Sequence, residues 1–195
     1  MRQGFFGYVD DLSDALKNMT VTLANGEAVS PDRGVECFIE KAEQIRKKRG
    51  IFFFAGNGAS ASMAEHMSHD WFQNADTRTL TSSEVSHITA ISNDLSFEDV
   101  FAYKIGKMLS GNDALITISS SGNSPNIIKA INTARGKGMF IVTVSGMKPD
   151  NKSRSLGDIN FYVPATTYGM AESAHSALLH CMLDLFLDKY IGGRH

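Results

Sequence analysis

Three stretches of this chain carry residue types whose spacing could do chemistry. Residues 116–126, ITISSSGNSPN, set serines 119, 120, 121 and 124 around a glycine, between an apolar run and a proline. A tight loop of small hydroxyl residues ahead of a helix offers O–H donors, unpaired backbone N–H groups and a positive dipole end, which suits a phosphate. Residues 63–71, MAEHMSHDW, contain two acid–imidazole pairs four residues apart, Glu65 with His69 and His66 with Asp70. Each pair lies on one face of a helix, and spacing alone does not choose between them. Residues 170–184, MAESAHSALLHCMLD, put Glu172, His175 and His180 on one broad side of an otherwise apolar helix. A lone histidine in such a helix is ordinarily a satisfied core residue, and that reading competes with a functional one at His175. At His180 it competes less well, because a carboxylate shares its side of the helix.

The elements that must hold these residues read as alternating strands and helices. The run at 51–55, IFFFA, is apolar on both faces, as an inner strand of a parallel sheet should be. GNGASA at 56–61 follows it and opens a helix to about residue 73. A weaker extended piece at 79–83, a helical stretch at 85–92 and a loop at Asn93-Asp94 precede a helix at 97–109. Then come a strand at 114–119, a helix at 125–135 with proline at its start, and strands at 139–145 and 159–163. A long helix at 170–190 ends the pattern before Gly192-Gly193. Ahead of the core, Phe5, Tyr8, Val9, Leu12, Leu16, Met19 and Leu23 recur at helical spacing over 5–24, and a second helix is predicted over 32–48. The alternation predicts one α/β domain over 1–195, with a helical segment at 1–50 before a core at 51–191 and a parallel sheet covered on both faces.

Composition narrows the partners. The chain has 195 residues with 19 basic and 21 acidic side chains well mixed, a net charge of -2 that gives no electrostatic support for nucleic acid. Cys37 and Cys181 are far apart with no CxxC spacing, consistent with a reducing cytoplasm. No signal-like start and no apolar run near ~18 residues argue for export or a membrane span.

The loop at 56–61 fits G-x-G-x-x-A, so a dinucleotide site is weighed first. Against it, Asp76 does not end a convincing strand, and Ser60 and Ser62 add hydroxyls where a pyrophosphate site wants bare backbone. The loop at 119–124 repeats the strand, serine/glycine, helix design about sixty residues later. Two such loops at the C-terminal ends of parallel strands converge on one crevice.

GNGASA, the segment SEVSHITAISND and ISSSGNSPNIIKAINTARGKGM together resemble the sugar isomerase (SIS) domain family. Within it they look most like the phosphoheptose isomerases, which act on sedoheptulose 7-phosphate. The resemblance runs from about residue 51 to 187. It implies a three-layer αβα sandwich with a flavodoxin-like parallel sheet and an N-terminal helical extension. It also implies an aldose–ketose isomerase working through an enediol, a homotetramer with sites shared between subunits, and a place in making heptose for surface polysaccharide. A non-catalytic SIS protein that binds a sugar phosphate, or an isomerase of another phosphosugar, is the alternative.

The resemblance also distributes roles. Ser119, Ser120, Ser121 and Ser124 would hold the sugar phosphate, and Asn57 and Ser60, flanking Gly58, would contact the polyol chain together with Asp94 beside Asn93. The family's histidine followed by a carboxylate four residues on selects His66 and Asp70, and its second helix carries Gln, then His three and eight residues later. Asp70 would be the base and His180 the acid or second base. His66, Asp70, Glu172 and His180 would form an N/O set suited to zinc, with Glu172 also facing substrate. Four departures accompany the match. Asp70 stands where the family has Glu, Glu172 where it has Gln, 167–169 (Thr-Tyr-Gly) where an acid is usual, and Gln73-Asn74 where Arg is common.

Overall fold

The computed structural model describes residues 3–193. Its centre is a seven-stranded sheet in the order β2-β1-β7-β6-β5-β3-β4. The strands are β1 (Thr20–Leu23), β2 (Ala28–Val29), β3 (Ile51–Gly56), β4 (Arg78–Leu80), β5 (Ala114–Ser119), β6 (Phe140–Gly146) and β7 (Ile159–Val163). From β4 to β7 every pairing is parallel, in the flavodoxin-like order β4-β3-β5-β6-β7. The inner strands are apolar on both sides because they are covered on both sides. Phe52 and Phe54 of β3 enter one core cluster, while Phe53 and Ala55 enter the other.

The helices are α1 (Gly4–Lys17), α2 (Pro31–Lys47), α3 (Ala59–Asn74), α4 (Val85–Asp94), α5 (Asp99–Met108), α6 (Pro125–Gly136) and α7 (Tyr168–Tyr190). On one face α2, α3 and α7 pack around Trp71, whose ring stacks on Phe52 and meets Phe38 and Phe186. On the other face α5 and α6 close over Phe53, Leu115 and Ile141. Helix starts follow capping chemistry. The Ser30 hydroxyl accepts the Arg33 N–H ahead of Pro31 in α2, and the Thr167 hydroxyl accepts the Met170 N–H in α7.

Two expectations are corrected. The helix expected over 5–24 stops at Lys17, and 20–29 form a hairpin whose first strand runs antiparallel to β7, so the sheet is mixed at this edge. Thr20 to Leu23 alternate at period 2 and Asn25-Gly26 makes the turn, with Gly26 N–H donating to the Leu23 carbonyl at 2.9 Å. Val21, buried against Phe161 of β7, is what the hairpin gains by joining the sheet. Further on, Asn93 and Asp94 are not a loop; they are the last turn of α4, and the next helix begins at Asp99.

Candidate functional site

The parallel strands reverse direction of progression between β3 and β5, and the loops after these two strands open the crevice that such a switch point leaves. A cavity of about 130 Å³ lies there, lined by Asn57, Ser60, Ile118, Ser119, Ser120, Ser121, Ser124, Tyr168 and Glu172. Six of the expected substrate-binding positions and Glu172 thus meet in one place. Gly58, Asn93 and Asp94 do not line it: Gly58 caps α3, and Asn93 and Asp94 are exposed, with Asn93 Nδ2 donating to Asp94 Oδ1 at 2.9 Å. The loop still depends on Gly58, which sits at φ 57°, ψ -126°, a backbone region that side chains strain.

The serine loop is rigid by construction. The Gly122 N–H donates to the Ser119 hydroxyl and carbonyl, both at 3.1 Å, and the Asn123 N–H to the Ser121 hydroxyl at 3.3 Å. The Gly122 carbonyl accepts the Ser153 N–H, and Asn123 Oδ1 accepts the Lys152 N–H, both at 3.0 Å, which ties the loop to the 3₁₀ turn Lys152–Ser155. In these bonds the serine oxygens only accept, so their O–H groups are free to donate to an anion. Ser124 caps α6 by position without a side-chain bond, unlike Ser30 and Thr167, and Pro125 has no N–H to satisfy. The serine hydroxyls therefore line the cavity as donors, with Ser124 at the N-cap of α6. Its one charged side chain is Glu172, which makes no hydrogen bond or ion pair among the described residues.

Asn126, the second residue of α6, was not singled out by its sequence. Its amide exchanges two hydrogen bonds with that of Asn57, each at 2.9 Å, joining the two loops across the crevice. Nothing local marks this residue, since its partner lies 69 positions away.

The second constellation lies along the seam of α3 and α7. Of the two acid–imidazole pairs of α3, His66 and Asp70 meet His180; Nε2 of His66 is 3.2 Å from Asp70 Oδ2, and the rings of His66 and His180 lie 5.2 Å apart. One ligand atom from each of the three falls within 4.8 Å of the others, a mixed N/O donor set. Glu65 and His69 are exposed and belong to no such group among the described residues. Within one chain three of the four expected ligands meet here; Glu172 of the same chain stands apart, eight residues and ~12 Å along the helix from His180 at ~1.5 Å per residue.

His175 is fully buried, and neither ring nitrogen has a hydrogen-bond partner among the described residues. It faces the backbone of Ser145, and burial pushes its pKa down to about 4, so the ring is neutral. The buried hydroxyls of Ser120 and Ser145 are likewise without partners. His175 is thus a core residue, as its apolar setting suggested, with the Ser145 backbone as a weak contact that offsets part of the burial effect.

Comparison with known proteins agrees with this architecture. The family model described as SIS domain matches residues 35–146. A phosphoheptose isomerase of Coxiella burnetii is 34% identical over 144 residues, covering 70% of this chain and 72% of that protein. The solved phosphoheptose isomerase of Francisella tularensis aligns with a TM-score of 0.80 at 19% identity over 95% of each chain. That of Neisseria gonorrhoeae aligns with a TM-score of 0.78 at 24% identity, over 92% of this chain and 93% of the other. At those identities the structural likeness is one of fold.

Proposed function

The chain belongs to the SIS-domain family, and from that premise we propose that it interconverts a ketose phosphate and an aldose phosphate, with sedoheptulose 7-phosphate and D-glycero-D-manno-heptose 7-phosphate as the pair. The observation that carries this reading is the cavity at the β3/β5 switch point, where four serines, the last of them the N-cap of α6, line one small volume. Donors of this kind bind phosphate through hydrogen bonds and the helix dipole, without a cationic side chain.

Isomerisation moves one proton between C1 and C2 and another between their oxygens. In our reading the serine loop anchors the phosphate, Asn57 and Ser60 bind the polyol, and Asp70 and His180 handle the protons. Asp70 suits the carbon proton because its Oδ2 faces His66 while Oδ1 has no partner among the described residues. His180 suits the oxygen proton, being half-buried beside that carboxylate with an imidazole able to donate or accept. The donor set of His66, Asp70 and His180 fits a divalent ion such as zinc, which would polarise the sugar's oxygens as a Lewis acid.

The same reading makes the protein a cytoplasmic homotetramer with sites completed between subunits, and surface-polysaccharide heptose its product. Phe5 and Phe6 on α1, 75% and 80% exposed, support burial in an assembly. No helix among the described residues is long and apolar enough to cross a membrane.

A second reading is a protein that binds a sugar phosphate without turning it over. It is favoured by the separation of the two constellations within one chain and by the lone carboxylate of Glu172 in the phosphate cavity. Incubation with sedoheptulose 7-phosphate and related ketose phosphates in deuterated water decides between them. Exchange at C1, lost on Asp70→Ala or His180→Ala, is expected of the isomerase. Binding with no exchange for any of these sugars would establish the second reading.

A further inference from the structure

Asn57 is the cavity-lining amide of the first loop, and Asn126 is the buried amide, 2% exposed, behind it. Each donates from Nδ2 to the other's Oδ1 at 2.9 Å. A reciprocal pair of this kind has one self-consistent arrangement, because turning either amide alone sets oxygen against oxygen and NH₂ against NH₂. A primary amide carries two N–H donors and two acceptor sites. The pairing uses one of each on Asn57, and leaves one N–H and one lone pair fixed at the wall of the cavity. Asn126 itself does not line the cavity.

We infer that Asn126 is a positioning residue for sugar recognition: it holds the Asn57 amide in one orientation, so that its remaining donor and acceptor meet hydroxyl groups of the bound sugar phosphate. Asn126 therefore governs affinity for the polyol portion, while the serine loop governs affinity for the phosphate. A merely structural asparagine would weaken both equally. This rests on the sugar-phosphate reading given above.

The test is calorimetric titration of the full chain with sedoheptulose 7-phosphate and, separately, with inorganic phosphate. Asn126→Leu, close in shape and uncharged, removes both amide bonds. It is expected to weaken the sugar phosphate about tenfold, the scale of one or two oriented hydrogen bonds, and to leave inorganic phosphate within about twofold. Asn57→Ala, at a half-buried position that threatens folding less, should give the same selective loss. Combining the two should add nothing further, since both changes remove one function. In turnover, KM rises and kcat holds, because the proton-transferring groups lie elsewhere. Equal weakening of both ligands, or additive effects of the two changes, overturns the inference. Wild-type protein that binds inorganic phosphate and no sugar phosphate instead overturns the sugar-phosphate reading, and the inference with it.

Discussion

The imidazoles of His66 and His180 face each other across the seam of α3 and α7 with centroids 5.2 Å apart and planes at 60°, and Asp70 closes the third side. Two rings from different helices and a carboxylate one turn from the first give three donors that need little rearrangement to close on one ion. Zinc at about a hundredfold excess over its dissociation constant should stabilise the fold by about 2.7 kcal/mol. For a chain of this length that raises Tm by roughly 5–10 °C. Thermal melts with zinc and with chelator check it, with His180→Ala and Asp70→Asn expected to lose the gain. Metal-free protein by elemental analysis and no Tm gain with zinc would dismiss the ion.

Much of this arrangement was legible in the residues themselves. The run IFFFA shows a doubly covered strand because Phe52 and Phe53 have to point into opposite cores, and ISSSGNSP shows a donor loop before a helix. The first hairpin was obscured because Met19 and Leu23 happen to continue the helical spacing of α1. The period-2 run Thr20 to Leu23 with Asn25-Gly26 after it was the competing signal, and pairing with β7 settled the outcome. That Glu172 and His180 of one chain stand apart followed from eight residues of helix alone. The Asn57–Asn126 pairing had no local signature, since two amides 69 positions apart become neighbours only once β3 and β5 are paired.

His175 makes the stability depend on pH. Its folded pKa of about 4 lies below the ordinary 6.5, because burial disfavours the imidazolium. Between these values the unfolded chain binds more protons than the native state. Stability from this residue is therefore complete above about 6.5, falls as pH drops through the window, and levels off below about 4. At 1.36 kcal/mol per unit the total is about 3 kcal/mol. Urea midpoints across the window should show the decline in wild type and a flatter curve in His175→Leu, which also removes two unpartnered nitrogens. Parallel curves would mean that other groups carry the acid limb.

Gly122 is the hinge on which the serine loop turns. Its φ of +61° is left-handed, and a Cβ there would lie 2.0 Å from Asn151 Oδ1. Asn151 cannot move aside, since its oxygen accepts from Arg154 N and Ser153 Oγ and its Nδ2 donates to the Lys148 carbonyl at 2.8 Å. Left-handed alanine alone costs about 1 kcal/mol, and overpacking adds about 1–3 more. Gly122→Ala should therefore lower stability by about 2–4 kcal/mol in urea melts and abolish phosphate binding. Wild-type affinity for phosphate in this variant would show that the loop is not the anchor.

Glu172 sets a carboxylate in the same small cavity as the serine donors, with no lining cation to offset it. A bound phosphate dianion would feel that charge. In a cavity open to solvent, one such repulsion is worth on the order of 1 kcal/mol and is screened by salt. Glu172→Gln keeps the shape and the acceptor oxygen while removing the charge. It should tighten inorganic phosphate about five- to tenfold at low ionic strength, with the advantage shrinking as salt is raised. Isothermal titration at two salt concentrations measures both effects. Weaker binding in the Gln variant would reverse the argument: the carboxylate would then be holding a cation or a proton that accompanies the ligand, and Glu172 would count as a binding group and not as a penalty.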